Sequence, residues 1–79
     1  MLVYALINQD GRIYVGQTAD LKKRILDHNF GRVFSTKHYR PWTVLYTEEV
    51  SNRIAARERE KYYKHGVGKE FLKSKSRPL

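Results

Sequence analysis

The first sixteen residues place the strongest constraint on the fold of this 79-residue chain. Two runs rich in β-branched and aromatic residues, 2–7 and 12–16, flank the turn sequence Asn8-Gln9-Asp10-Gly11. Such runs around an Asp-Gly pair are typical of a β-hairpin. A three-residue loop with Gly11 in the left-handed region would pair Asn8 with Arg12 through a G1 bulge. This pairing fixes the register of the whole hairpin.

That register predicts two chemically different faces, because strand side chains alternate between the faces of a sheet. One face is wholly aliphatic and suits a core: Val3, Ala5, Ile7, Ile13 and Val15. The other face carries Leu2, Tyr4, Leu6, Arg12, Tyr14 and Gly16. Gly16 would lie opposite Tyr4 and leave space above its ring, beside Tyr14. We interpret this second face as a candidate site; the alternative is that the tyrosines simply pack there, since tyrosine favours strands.

A first helix is predicted from about Leu21 to His28, with Asp20 as its N-cap and Asn29-Phe30-Gly31 as its stop. One stripe of this helix, spaced i, i+3, i+4 and i+7, consists of Leu21, Arg24, Ile25 and His28. Arg24 and His28 should therefore border the buried face. A guanidinium held there can meet a phosphate, whereas the alternative is a solvated arginine.

The segment from Phe30 to Trp42 is basic and aromatic and shows no regular periodicity. This mixture of cations and stacking surfaces is expected of a nucleic-acid groove. The candidate nucleic-acid-binding residues are Arg32, Lys37, Tyr39 and Arg40. Phe34 and Trp42 could instead fold inward as core, which we favour for Trp42.

A third strand is predicted from Thr43 to Val50, followed by a second helix that Ser51 or Asn52 caps and that ends at Gly66. Along this helix, Ala56, Glu60 and Tyr63 form an i, i+4, i+7 stripe. A carboxylate on the sheet-facing side needs a partner. The alternative for Glu60 is a surface pair with Lys64, four residues further on. A short helix over 69–73 and a basic tail from about 74 would complete a single domain spanning 1–79.

Composition narrows the possible partners. Lys and Arg number 16 against 8 Asp and Glu, a net charge of +8, which favours a polyanion. Nucleic acid fits better than a membrane, because neither helix plainly opposes an apolar face to a basic one. The chain has no cysteine and its three histidines form no helical i, i+4 pair, so thiolate and histidine metal motifs are unsupported. We expect a cytoplasmic protein with no membrane segment and no small-molecule organic cofactor.

Two tyrosines on one sheet face, an inward arginine and an inward carboxylate together suggest phosphodiester hydrolysis. The carboxylate would hold one divalent ion that stabilises the anionic transition state, and the arginine would neutralise phosphate charge. A tyrosine would orient or deprotonate water, with help from nearby cations because its reference pKa is about 10.

The order of these residues resembles the GIY-YIG nuclease family, in particular its small standalone bacterial members, over nearly the whole chain. Leu2-Val3-Tyr4 resembles the first signature triplet, with leucine and valine replacing its glycine and isoleucine, and Tyr14-Val15-Gly16 resembles the second. Further similar segments are Asp20-Leu21-Lys22-Lys23-Arg24 with His28-Asn29, Ser35-Thr36-Lys37, Tyr39-Arg40-Pro41-Trp42, 56–61 and 66–72.

The resemblance implies an α/β (α+β) fold in which helices flank a three-stranded antiparallel sheet. It assigns catalytic positions to Tyr4, Tyr14, Arg24, His28 and Glu60, with Glu60 as the ligand of one Mg²⁺ or Mn²⁺ ion. The implied function is a divalent-metal-dependent endonuclease, with DNA favoured over RNA, low sequence specificity and a role such as DNA repair. A catalytically weak or inactive nucleic-acid-binding module of the same fold is the alternative. A structural basic protein of an RNA assembly would explain the charge but not an inward Glu60.

Overall fold

The computed structural model describes residues 1–76, which form a three-stranded antiparallel sheet with helices packed on both faces. The sheet has the order β2-β1-β3. The elements are β1 (Leu2–Asn8), β2 (Ile13–Thr18), α1 (Leu21–Asn29), β3 (Trp42–Glu49), α2 (Arg53–Lys64) and α3 (Gly66–Ser76), with one 3₁₀ turn at Lys37–Tyr39. The predicted fold class is confirmed. Among the residues described, no helix is long and apolar enough to cross a membrane.

The hairpin has the predicted register. Tyr4 pairs with Gly16 and Leu6 with Tyr14. The Asn8 backbone N–H donates to the Arg12 carbonyl at 3.1 Å, and Gly11 has a φ of 83°, which glycine adopts without steric cost. The Asn8 side chain also accepts from the Arg12 backbone N–H at 2.8 Å. The three-residue loop therefore fixes which side chains share a face.

The two sheet faces carry two separate cores. On the aliphatic face, the hairpin packs under α2 and α3, and the buried residues are Val3, Ala5, Val15, Ala56, Tyr63 and Leu72. On the opposite face, α1 covers the sheet, and the buried residues are Tyr4, Leu6 and Trp42, with Tyr14, Leu21 and Ile25 packed against them. The face predicted to hold a site is therefore roofed by α1.

Helices α1 and α2 both begin with side-chain caps. Asp20 accepts from the Lys23 backbone N–H at 3.1 Å, and Asn52 accepts from the Ala55 backbone N–H at 2.9 Å. Of the two predicted caps for α2, Asn52 is the one used. The helix ends at Lys64, with His65 as its C-cap, slightly before the predicted end.

The C-terminal helix is longer than predicted. α3 begins at Gly66 and continues to Ser76, so Ser74 to Ser76, predicted as a basic tail, are helical. Two tertiary contacts stabilise this helix: Leu72 is buried in the aliphatic core, and Gly68 approaches the end of α2 so closely that a Cβ there would meet the Tyr62 carbonyl oxygen. Neither contact is visible in local periodicity. The remainder of the predicted tail, 77–79, lies outside the described residues.

A β-bulge in β3 decides where Trp42 lies. Tyr46 pairs with Ala5 but Val44 pairs with Leu6, which leaves Leu45 as the extra residue. In a regular strand, residues 42 and 46 would share a face. Because of the bulge, Tyr46 packs against the aliphatic core while Trp42 is buried beside Tyr4. The predicted burial of Trp42 is confirmed.

Candidate active site

The two signature tyrosines lie together on the face covered by α1. The ring centroids of Tyr4 and Tyr14 are 6.3 Å apart. A Cβ at Gly16 would fall 2.6 Å from the Tyr4 hydroxyl oxygen, so a side chain at this position would displace that hydroxyl. Glycine at position 16 therefore keeps Tyr4 where it is, opposite the second triplet.

His28 contacts Tyr4 from the end of α1. Its Nε2 lies 2.8 Å from the Tyr4 hydroxyl, and its ring packs edge-on against Tyr14 with centroids 5.0 Å apart. The imidazole is fully buried. The predicted helical stripe is thus correct in placing His28 against the sheet, since Leu21 and Ile25 pack on the same face.

Thr36 orients the His28 ring from the other side. His28 Nδ1 lies 2.7 Å from the Thr36 hydroxyl, which itself donates to the Val33 carbonyl at 3.4 Å. Because that carbonyl can only accept, the threonine oxygen is free to accept from Nδ1–H. Nε2 is then unprotonated and accepts the Tyr4 proton. Burial and the charge of Arg24 lower the pKa of His28, which favours this neutral form.

Arg24 contacts the Tyr4 hydroxyl from one turn earlier on α1. Its Nε donates to that oxygen at 3.4 Å. Burial raises the pKa of Tyr4, and the hydrogen bond from Arg24 opposes the rise because it favours the phenolate. Tyr4 is therefore a neutral phenol at rest, with a donor cation on one side of its oxygen and a proton acceptor on the other.

Glu60 forms the pair with Lys64 that the sequence offered as its alternative role. Its side chain is 22 % exposed, and its Oε2 accepts from Lys64 Nζ at 3.1 Å, the pair named as the alternative. Its charge also contributes, as the weakest of several causes, to the raised pKa of Tyr4. Within residues 1–76, no group of three or more His, Cys, Asp or Glu side chains could enclose a metal ion. A single carboxylate still fits Mg²⁺, which commonly takes one or two carboxylates with water and substrate phosphates.

The four predicted nucleic-acid-binding residues lie on or beside the loop between α1 and β3. Arg32 pairs with Asp27 at 3.1 Å, and Arg40 Nε donates to the Lys37 carbonyl at 2.7 Å. The Tyr39 ring is covered by the guanidinium of Arg12, 4.2 Å from its centroid. The suggestion that Phe34 folds inward is wrong, because the ring is exposed in this loop.

Sequence reasoning assigned Asn29 to the helix stop and Trp42 to the core, but it did not predict that these residues hold the loop in place. The Asn29 side-chain amide accepts from the Trp42 backbone N–H at 2.7 Å and donates to the Trp42 carbonyl at 3.0 Å. Trp42 Nε1 in turn donates to the Thr36 carbonyl at 3.0 Å. These bonds join the end of α1, the loop and β3 around His28. The only prior signal was that Asn29, Thr36 and Trp42 fall within segments of the family resemblance.

This arrangement can move a proton. A hydroxyl placed between a fixed cation and a neutral imidazole can pass its proton to Nε2 while the cation stabilises the phenolate that forms. The Thr36 bond keeps the imidazole in the accepting tautomer. The sheet supplies the hydroxyl, α1 supplies both of its partners, and the loop supplies the group that orients the imidazole.

Comparison with known proteins agrees with this description. A family model for the GIY-YIG catalytic domain matches residues 1–74. UPF0213 proteins of Streptococcus pyogenes serotypes M5, M2 and M1 are each 38 % identical to the chain over 63 residues, which is 78 % of this chain and 68 % of theirs. No solved structure matches the chain significantly.

Proposed function

This chain belongs to the GIY-YIG family, and on that basis we propose that it is a divalent-metal-dependent endonuclease that hydrolyses phosphodiester bonds in DNA with low sequence specificity. One observation carries the proposal. The Tyr4 hydroxyl lies between Arg24 Nε, at 3.4 Å, and His28 Nε2, at 2.8 Å. A hydroxyl with a cationic donor on one side and a neutral imidazole on the other is the arrangement that proton transfer requires.

The proposed reaction begins with proton transfer. An attacking water gives a proton to the Tyr4 oxygen as Tyr4 gives its own proton to His28 Nε2. The water oxygen bonds to phosphorus, and the bond from phosphorus to the leaving sugar oxygen breaks with its electron pair on that oxygen. Arg24 stabilises the negative charge that develops near the phenol and phosphate. Tyr14 packs against the free edge of His28 and limits its movement.

Glu60 is the residue proposed to hold the divalent ion, Mg²⁺ or Mn²⁺. When bound, such an ion supplies positive charge that stabilises the anionic transition state. Lys64 occupies one carboxylate oxygen in the metal-free protein, so the ion would compete with an ammonium for Glu60. Because of that competition, we expect Glu60 to bind the ion with lower affinity than a site built from several carboxylates would.

Substitution of Glu60 tests the proposal. Glu60→Gln keeps the side-chain shape and removes its charge, so hydrolysis of labelled DNA with Mg²⁺ should fall by roughly a hundredfold or more, the usual cost of losing a transition-state electrostatic contact. Affinity for DNA, measured with chelator, should stay within a few-fold. Glu58→Gln, an exposed acid on the same helix, is the matched control and should leave both unchanged.

The alternative of a binding module without hydrolysis is favoured by the ion pair between Glu60 and Lys64. If the ion pair is Glu60's only role, wild type will show no cleavage above the chelator control, and Glu60→Gln will change stability alone. If Glu60 holds the ion, Lys64→Gln should lower the Mg²⁺ concentration that gives half-maximal cleavage, because the competing cation is gone. These outcomes exclude each other.

A further inference from the structure

Two phenylalanines near the candidate active site expose most of their side chains. Phe34 is 82 % exposed and Phe30 is 65 % exposed. Isolated exposed apolar residues are common on protein surfaces. These two, however, lie four residues apart on the short loop that follows α1, which makes them a candidate binding surface.

Each ring is accompanied by a cation. Arg32 Cζ lies 5.1 Å from the centroid of Phe30, and Lys37 Nζ lies 5.2 Å from that of Phe34. Arg40 contacts the backbone near both rings. Its Nε donates to the Lys37 carbonyl, and its Nη1 packs so closely on Gly31 that a Cβ at that position would lie only 2.7 Å away. We call this set the aromatic rim: Phe30, Arg32, Phe34, Lys37 and Arg40.

The rim is attached directly to the proposed chemistry. Phe30 follows His28 by two residues, and Phe34 precedes Thr36, the hydrogen-bond partner of His28, by two residues. Trp42 anchors the same loop through the Thr36 carbonyl. The rim is therefore carried by the same loop that orients His28.

The chemistry of the rim identifies its ligand. Exposed rings beside guanidinium and ammonium groups are the combination with which proteins bind single-stranded nucleic acid, because each base stacks on a ring while its phosphate meets a cation. The bases of an intact duplex are already stacked on one another and offer no free faces. We propose that the aromatic rim binds unpaired bases, so that the substrate carries a single-stranded segment at the site of cleavage. This inference rests on the proposed nuclease function.

Binding without cleavage provides the test. Fluorescence anisotropy with chelator would compare a labelled 12-nucleotide single strand with a blunt duplex of the same sequence, a length of the order of one single-strand binding site. Phe34→Ala and Phe30→Ala should each weaken single-strand binding by about tenfold, the usual effect of removing one stacking residue. Duplex binding should change less than twofold.

Two further Phe34 variants separate stacking from apolarity. Phe34→Trp should retain single-strand affinity because it keeps a ring face, whereas Phe34→Leu should lose it as Phe34→Ala does. Val67→Ala is the matched control, because Val67 is 75 % exposed but lies on α3. It should leave binding unchanged. Because all these side chains are exposed, thermal melting should show each variant folded.

The outcomes distinguish the two proposals. If wild type binds duplex at least as tightly as single strand, or if Phe34→Leu binds as well as wild type, the rim inference is overturned and the nuclease proposal stands. Equal weakening of both DNA forms by Phe34→Ala would also overturn it. If wild type binds neither form but binds anionic phospholipid vesicles through Phe34, both proposals fail.

Discussion

Thr36 is the residue at which the smallest chemical change should alter the proposed reaction. Thr36→Val keeps the shape of the side chain but leaves His28 Nδ1–H without its acceptor at 2.7 Å. The ring can then adopt the other tautomer, in which Nε2 is protonated and cannot accept from Tyr4. We expect the cleavage rate constant to fall by about tenfold to a hundredfold, a part of the roughly hundredfold to ten-thousandfold that general acid–base catalysis contributes.

The conservative variant supplies the control. Thr36→Ser retains the hydroxyl and should restore most of the rate, although it removes a buried methyl group and so lowers stability somewhat. Single-turnover rates on labelled DNA, with thermal melting of each variant, would separate the two effects. A Thr36→Val protein that cleaves at the wild-type rate would show that Thr36 only fills space.

His28 should make both stability and activity sensitive to mild acid. Its pKa is lowered from the usual 6.5 by burial and by Arg24, an effect that Asp27 partly opposes, and Tyr4 needs its neutral form. The stabilisation is therefore complete above the unfolded-state pKa and is lost as pH falls through the lower folded-state value. In urea unfolding, the free energy of unfolding of wild type should be smaller at pH 5.0 than at pH 7.5, and this difference should be reduced in His28→Gln. The exposed His38→Gln should retain the wild-type difference.

The sequence predicted the positions of side chains on strands and helices better than the positions of those on loops. Alternation placed Tyr4 and Tyr14 on one face, and helical spacing placed Arg24 and His28 above them. Thr36 has no such rule, because its contact with His28 depends on the path of an irregular loop. Phe34 shows the same limit: composition alone cannot tell an exposed ring from a buried one.

The connection between β3 and α2 depends on a charged cluster on the side of the aliphatic core. Arg59 binds Glu48 through two nitrogens, at 2.6 Å and 3.1 Å. The hydroxyls of Tyr63 and Tyr46 donate to the same carboxylate at 2.6 Å and 3.0 Å. These bonds, chiefly those from Arg59, lower the pKa of Glu48 to about 2. The cluster ties the helix that carries Glu60 to the sheet.

Glu48→Gln should therefore lower the free energy of unfolding without changing the rate of DNA cleavage. We expect a loss of about 1 to 2 kcal/mol, less than for a fully buried pair because the Arg59 side chain is 40 % exposed. In wild type this contribution is present above pH 4.5 and is lost as pH falls toward 2, since the lowered pKa belongs to the folded state. Urea unfolding at neutral and acidic pH measures it. A large loss of cleavage rate at full folding would instead place Glu48 in the site.

Strands and helices were predicted correctly where the local sequence pattern determines their bounds. They were missed where tertiary contacts determine those bounds. The hairpin, α1 and the cap at Asn52 follow from turn and capping residues close in sequence. The full length of α3 follows instead from Leu72 packing against the sheet and Gly68 approaching α2. Glu60 was undecided from periodicity, because a helical stripe does not reveal whether Lys64 can reach the same carboxylate.

For the whole molecule, the net charge of +8 predicts that DNA binding weakens steeply with salt. If about six phosphates are neutralised, the slope of log affinity against log salt should be near −5. Anisotropy titrations from low to moderate KCl would measure this slope. Lys37→Gln combined with Arg40→Gln should make it shallower by about two, whereas uncharged Val67→Ala should not. A flat response in wild type would remove the nucleic-acid assignment.

The bulge at Leu45 has a consequence for how the chain can vary in length. Deleting one residue from a strand normally inverts every side chain beyond the deletion. In β3 a deletion instead preserves the two faces. Removing one residue between 43 and 45 leaves Trp42 and Tyr46 three positions apart, and residues an odd number of positions apart in a regular strand point to opposite faces, as these two do now. Relatives that are one residue shorter here can keep Trp42 and Tyr46 on their present faces with no bulge, whereas a one-residue insertion would leave two extra residues opposite β1 between these pairs.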